Sequence, residues 1–302
     1  MLTRISKSTI TPFGLHCGET CSFTLRDGYA WEMQLLDTAA EILEHDYDRY
    51  GYRDSGHASG DISAYAFSAQ VKINGQNYTI RREVGTQASF YEPWVIDDVR
   101  IWLDAVTAAF SFAGGFMEEK DWRSGLICAP QQHARFVLHE ADLPICPEPL
   151  HPWYPNETGT LNIGDCYNGE DCWMGPYGGA AAHCGLDINM PAGTVLTSPF
   201  ALDDQYLFNS VLSGFRNNDW RGTRRWPDGS EWRIQTYHLI DMLVPAHRPL
   251  PAGTSYATTA GVFIGAHEHT HFLFQVQEQE GEYLLDPWIL FWGIFHSPFG
   301  KP

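Results

Sequence analysis

The C-terminal half of the sequence contains a dense group of histidines whose spacing could support metal chemistry. His267, His269 and His271 fall within five residues, and His183 is followed four residues later by Asp187. Zinc accepts imidazole and carboxylate ligands together, and a catalytic zinc site uses three protein ligands and leaves one position to water. These residue types therefore indicate a zinc site.

The spacing of the histidines also indicates the kind of element that carries them. In an extended strand, residues two apart point to the same side and lie roughly 6.6–6.8 Å apart. His269 and His271 would then share one face, where one side chain can hold the metal and the other can face its water. His183 and Asp187, four residues apart, share a face by the same rule. Apolar alternation in Trp232–His238 and in the residues after His271 favours strands here.

Four segments in the same order resemble the motifs of the lysostaphin-type zinc endopeptidases. His183-Cys-Gly-Leu-Asp187, followed by Pro191-Ala-Gly-Thr194, resembles the family's His-x-Gly-x-Asp and Pro-x-Gly-Thr. Tyr237-His238-Leu239 resembles the segment that carries a catalytic histidine in this family. His269-Thr-His271-Phe272 is similar to the family's His-x-His-Phe strand, and Asp286-Pro287 is similar to the Asp-Pro that often follows it.

The resemblance implies a ligand set and a function. It implies one zinc ion held by His183, Asp187 and His271, with His238 and His269 as catalytic histidines that do not bind the metal. The implied fold is a compact all-β domain of the duplicated-hybrid-motif kind. The implied substrate is the peptide cross-links of peptidoglycan, cleaved by a metal-activated water. One histidine would orient or deprotonate that water and the other would stabilise the oxyanion, and which does which stays open.

Two other interpretations remain open at this stage. His267-Glu268-His269-Thr270-His271 also matches His-Glu-x-x-His, the zincin motif, in which His267 and His271 would bind zinc from one helix face and Glu268 would be the base. That motif requires a helix, and it gives no role to His183 or Asp187. The second alternative is a non-hydrolytic zinc-bearing module that binds the cell wall or regulates another hydrolase.

The twelve residues from Pro144 to Pro155 include five prolines. They predict a stiff linker, because proline fixes φ and removes a hydrogen-bond donor. The chain is therefore divided into a β-rich accessory domain at 1–143, a linker at 144–157 and a zinc metallopeptidase domain at 158–302. Both domains are expected to be mainly β.

Turn signals support a β-sandwich-like N-terminal domain with at most one helix. Asp27-Gly28 and Asn74-Gly75 each stand between short strand-like runs, and Asn-Gly is the strongest short hairpin signal. Met33–Leu43 and Val95–Phe110 have apolar spacings that fit either a helix or a buried strand.

Composition excludes several classes of partner. The formal net charge is −18, which repels nucleic acid and anionic membranes. No apolar run approaches the ~20 residues that cross a bilayer. The first six residues contain no apolar signal region, whereas the family resemblance implies an extracytoplasmic location. The oligomeric state is not indicated.

Overall fold

The computed structural model describes residues 1–46, 62–84, 92–106, 132–154, 176–177, 181–182, 185–211, 214, 217–264 and 267–299. This part of the chain contains twenty strands and one helix, which confirms the predicted mainly-β class. It divides into two compact units: of the described residues, the first holds those up to Pro147 together with 176–177 and 181–182, and the second holds 148–154 and those from Gly185 onward. None of its helices is long and apolar enough to span a membrane.

The first unit is built from two sheets and a short pair of strands. Its strands are β1 (Leu2–Ile5), β2 (Thr11–Leu15), β3 (Thr20–Thr24), β4 (Ala30–Asp46), β5 (Ile62–Ile73), β6 (Gln76–Val84), β7 (Trp94–Ile96), β8 (Val99–Val106), β9 (Ala134–Glu140), β10 (Pro176–Tyr177) and β11 (Ala181–Ala182). One sheet has the strand order β1-β3-β4-β5-β6 and the other the order β2-β9-β8-β7, while β10 pairs with β11.

Both hairpins predicted from turn residues are confirmed. Asp27-Gly28 joins β3 to β4, with φ of 90° at Gly28, and Asn74-Gly75 joins β5 to β6, with φ of 45° and 87°. Positive φ at both central residues is the requirement of a type I′ turn, which Asn-Gly meets at low cost.

The two ambiguous segments of the first unit are strands where they are described. Met33–Leu43 lies within β4. Val95–Phe110 covers most of β7 and all of β8, and its last four residues lie outside the described part of the chain.

The second unit is organised around a nine-stranded sheet. Its elements are β12 (Leu186–Asn189), β13 (Val195–Thr197), β14 (Asp204–Phe208), β15 (Asn218–Arg225), β16 (Glu231–Met242), β17 (Ser255–Thr259), β18 (Val262–Ile264), β19 (His267–Glu278), β20 (Gly281–Leu285) and helix α1 (Pro287–Phe295). The central order is β12-β19-β16-β15-β14. In addition, β17 pairs with β13 and β16, and both β18 and β20 pair with β19.

One face of this sheet forms the core of the second unit. Trp232, Ile234 and Thr236 alternate along β16 and are fully buried. In the pairing of β16 with β19, Ile234 lies opposite Phe274 and Thr236 opposite Phe272. The alternate residues of these strands are more polar and lie on the opposite face. A sheet with one packed face and one polar face can present side chains to a substrate.

The second half of the proline-rich segment belongs to this core. The Trp153 ring lies 4.4 Å from the Phe272 ring and 5.9 Å from the Phe291 ring, and its indole N–H donates to the Tyr256 hydroxyl at 2.8 Å. A domain cut at residue 158 would remove Trp153 from the core. A fragment that starts at Glu148 keeps it.

The Asp-Pro motif begins the helix of the second unit. The Asp286 carboxylate accepts from the Trp288 backbone N–H at 2.9 Å, and Pro287 occupies the first helical position. Both are favoured at helix starts, because the first backbone N–H groups have no partner within the helix. This motif therefore has a structural role.

Candidate active site

The predicted histidine strand is confirmed as β19, and its register fixes two candidate site residues opposite each other. In the antiparallel pair of β12 with β19, Asp187 pairs with His271, and Asn189 pairs with His269. Directly opposite residues of such a pair occupy the same face of a sheet. His269 and His271 are two residues apart, so they also share a face.

The zincin interpretation is wrong because the segment is not a helix. His267 and Glu268 lie in β19, where they pair with Ile264 and Phe263 of β18 in an antiparallel ladder. A strand cannot bring residues 267 and 271 together in the way that one helical turn does. The His-Glu-x-x-His match is therefore coincidental.

A bulge in β16 positions the second predicted catalytic histidine. Two residues of β16, Tyr237 and His238, lie opposite the single residue Asp219 of β15. His238 has φ of 61°, a left-handed conformation that costs a residue with a side chain about 1–3 kcal/mol and is found preferentially at functional sites. The bulge is held by two hydrogen bonds, from the Thr270 hydroxyl to the Tyr237 carbonyl at 2.6 Å and from the Ala260 N–H to the His238 carbonyl at 2.7 Å.

The bulge directs the His238 ring towards the histidines of β19. The ring centroids of His238 and His269 are 4.7 Å apart at 68°, and His269 is buried. The His238 Nδ1–H donates to Asn217 Oδ1 at 2.5 Å. Because an amide oxygen only accepts, Nδ1 is the donor in this contact.

Tyr237, the other residue of the bulge, lies against His271. Their ring centroids are 5.3 Å apart, and Gln235 Nε2 donates to the tyrosine hydroxyl at 2.7 Å. Burial raises the pKa of Tyr237, and the nearby charge of Asp219 raises it further, whereas Arg221 and the Gln235 contact oppose these effects. Tyr237 therefore stays a neutral donor beside the histidines.

A glycine beside His271 leaves the imidazole its space. A Cβ at residue 185 would lie 2.5 Å from both Cε1 and Nε2 of His271 and 2.7 Å from the Phe272 carbonyl oxygen. This separation is far below van der Waals contact. A side chain at residue 185 would therefore collide with the His271 ring in this arrangement.

We expect Gly185→Ala to lower zinc affinity by about 10- to 100-fold, the usual cost of disturbing groups that orient a metal ligand. The added methyl would displace the imidazole through which His271 is expected to bind. Competition against a chromophoric chelator measures the affinity. Gly281→Ala is the matched control, because a Cβ there meets nothing within 4 Å. Equal zinc affinity in both variants would contradict the predicted role of His271.

The structure brings together three of the five predicted site residues with their side chains, namely His238, His269 and His271. For Asp187 the backbone alone is described, opposite His271, and His183 lies outside the described residues. Within the described part, no three His, Cys, Asp or Glu side chains group closely enough to hold a metal.

Sequence reasoning missed Asn217 and Asp219. Both lie in a stretch without a family counterpart, and neither has a motif around it. Their position beside His238 and Tyr237 depends on the pairing of β15 with β16. The contacts between these two strands join residues that are 14 to 21 positions apart in the chain. A local pattern could not reveal it.

Solved structures to which the chain is similar include members of the family whose motifs it resembles. Lysostaphin from Staphylococcus simulans is 18% identical over 49% of this chain and 55% of its own, with a TM-score of 0.36. Its catalytic domain is 18% identical over 47% of this chain and 88% of its own, with a TM-score of 0.29. A zinc-containing peptidase from Vibrio cholerae is 12% identical over 86% of this chain and 74% of its own, with a TM-score of 0.32.

The chain spans about half the length of full lysostaphin. Neither models of protein families nor curated proteins give a match. Because the TM-scores are below 0.5, inference about function rests on the residues of the site.

Proposed function

We propose that the chain is a zinc-dependent endopeptidase that hydrolyses the peptide cross-links of peptidoglycan. The observation that supports this most strongly is that the two proposed catalytic histidines, His238 and His269, lie together beside the proposed metal ligand His271. His238 is held in a strained bulge with its ring against His269, and His269 is two residues from His271 on the same strand face.

Zinc fits the residues that the motif supplies. His183, Asp187 and His271 would hold it, which is a nitrogen and oxygen donor set that suits this ion with a fourth position open to water. The glycine at 185 leaves a space at the His271 Nε2 edge that any other side chain would fill. When bound, the ion would lower the pKa of a water to about 7 and polarise the scissile carbonyl.

The histidines of the chain would perform the proton transfers. His238, whose Nδ1 is hydrogen-bonded to Asn217, would accept or return a proton in the reaction. His269, whose ring lies 4.7 Å from that of His238, would orient the attacking water or stabilise the developing oxyanion. Tyr237 is a further neutral donor at the same edge.

A non-hydrolytic zinc module is the alternative, and the geometry favours chemistry over binding alone. A structural zinc site normally has four protein ligands, whereas the proposed set has three and leaves a position open to water. Such a module gains nothing from holding His238 in a left-handed bulge and hydrogen-bonding its ring to Asn217. An extracytoplasmic location follows from the proposed substrate.

Hydrolysis by the purified full chain tests the proposal. We expect release of new amino groups from peptidoglycan and from an oligoglycine peptide, loss of this activity on chelation, and its return with zinc. Binding to peptidoglycan without any release of amino groups, in zinc-loaded protein, would replace the proposal with the non-hydrolytic alternative.

A further inference from the structure

Three polar side chains form a hydrogen-bonded row on the sheet face that carries His271. Gln235 and Tyr237 are two residues apart on β16, and Arg221 is the register partner of Gln235 on β15. All three therefore share one face of the sheet. On the other side of β16, Gln235 lies opposite Leu273 of β19, which is two residues from His271. The row thus borders the proposed metal site.

The chemistry of the three groups determines the direction of each hydrogen bond. A guanidinium only donates, so the Gln235 atom that accepts from Arg221 at 3.1 Å is the amide oxygen. The amide nitrogen then faces the opposite way, where it donates to the Tyr237 hydroxyl at 2.7 Å. A hydroxyl carries one proton, and Tyr237 does not use it in this contact because it accepts from Gln235. That proton is left to point away from Gln235.

Neighbouring contacts hold this row at both ends. Gln235 is only 7% exposed, so its amide has little access to water as an alternative partner. The Arg221 guanidinium lies 5.8 Å from the centre of the Phe208 ring, which adds a cation–π contact to its hydrogen bond. The Thr270 hydroxyl donates to the Tyr237 carbonyl at 2.6 Å. Tyr237 is therefore held both at its backbone and at its hydroxyl.

The tyrosine end of the row lies at the proposed metal site. The Tyr237 ring centroid is 5.3 Å from that of His271 and 6.5 Å from that of His238. Because hydrogen bonds in a chain polarise one another, the Arg221 charge at the far end strengthens Tyr237 as a donor. A donor held in this way stabilises the negative charge that develops on the oxygen of a scissile carbonyl.

We propose that Arg221 and Gln235 are positioning residues that turn the Tyr237 hydroxyl towards the substrate, where it donates a hydrogen bond to the carbonyl oxygen under attack. The inference rests on the proposed peptidase function and adds two residues to its site. The proton stays on Tyr237 throughout. The hydrogen bond strengthens as negative charge develops on the substrate oxygen and weakens when the carbonyl forms again, so no covalent bond to the tyrosine forms or breaks.

Gln235→Glu tests the direction of the row. Glutamate keeps the length of the side chain and can still accept from Arg221, but an ionised carboxylate has no proton to donate, so Tyr237 would donate to it instead. The tyrosine proton would then point away from the substrate. We expect kcat to fall by about 10²–10³-fold, the cost of one lost oxyanion donor, with KM little changed and one zinc per chain retained. A purely structural role is served equally well by glutamate, so a wild-type kcat in Gln235→Glu overturns the proposal.

Tyr237→Phe removes the donor itself and should lower kcat by the same factor with zinc retained. The double variant should lose no more than either single variant, because both substitutions remove one hydrogen bond. Gln275→Glu is the matched control, since Gln275 is buried on the same face of β19, opposite Arg233, and gains the same charge. It should keep the wild-type kcat. Additive losses, loss of zinc in Tyr237→Phe, or an equal fall in Gln275→Glu would contradict the proposal.

NMR of the side-chain amides separates this inference from the function on which it rests. In protein isotope-labelled at its glutamine side chains, the Gln235 signals are those that disappear in Gln235→Glu. We expect Tyr237→Phe to shift them, because the amide loses its acceptor while the ring stays, and to leave the Gln275 signals in place. Unshifted Gln235 signals overturn the row, whatever the protein hydrolyses. Shifted signals in zinc-loaded protein that hydrolyses no peptide contradict the peptidase proposal and keep the direction of the row.

Discussion

Replacing His271 with alanine is expected to remove zinc from the protein and to abolish hydrolysis. The proposed site has three protein ligands, and His271 is the one whose imidazole is described, against Gly185 and opposite Asp187. Loss of one of three ligands would leave zinc with two protein donors and water in the remaining positions. Zinc affinity should therefore fall by more than about 100-fold, which is more than the loss of a residue that only orients a ligand would cause. Asp187→Asn should have a similar effect, because an amide oxygen is a weaker ligand than a carboxylate.

Metal analysis after dialysis against buffer with a weak chelator measures this loss. His247→Ala is the control, because His247 is exposed and lies 3.7 Å from Asp204, away from the proposed ligands. It should bind zinc as wild type does. Full zinc occupancy in His271→Ala would show that the ligand assignment is wrong.

Loss of either catalytic histidine is expected to slow the reaction while zinc remains bound. His238→Ala and His269→Ala should each reduce kcat by about 10²–10⁴-fold, which is the usual contribution of an acid–base group or an oxyanion donor. Neither residue belongs to the ligand set, so the metal content should stay at one zinc per chain. The two losses should not add in the double variant if both side chains act in one proton transfer.

Asn217→Ala separates the position of His238 from its chemistry. Without the Oδ1 acceptor, the His238 ring loses its fixed tautomer and orientation. We expect a smaller fall in kcat than in His238→Ala and a pH profile displaced from that of wild type. A wild-type rate in His238→Ala or in His269→Ala would remove that histidine from the mechanism.

Local chemistry predicted much of this fold. The hairpins at Asp27-Gly28 and Asn74-Gly75 follow from residues that tolerate positive φ, and the shared face of His269 and His271 follows from the two-residue period of a strand. Met33–Leu43 stayed ambiguous because its apolar spacing fits two periods. Its pairing with β5 decides in favour of a strand, and that partner is distant in sequence.

Features that depend on the register between strands distant in the chain could not be predicted from the sequence. The bulge at Tyr237–His238 exists because β15 and β16 differ by one residue in their pairing, and this offset positions both Asn217 and Asp219. The burial of Trp153 depends on its packing against Phe272 and Phe291, which lie far along the chain, so proline content alone does not predict it. Proline content indicates that a segment is stiff, but it does not indicate which residues the segment packs against.

Zinc content and turnover of His183→Ala, compared with those of Glu268→Gln, test the central assignment most directly. Position 268 alternates with position 269 in β19, and Glu268→Gln leaves every proposed ligand in place. We therefore predict one zinc per chain and activity within a few-fold of wild type for Glu268→Gln, and loss of both zinc and activity for His183→Ala. Full zinc and activity in His183→Ala, with an inactive Glu268→Gln, would contradict the lysostaphin-type site.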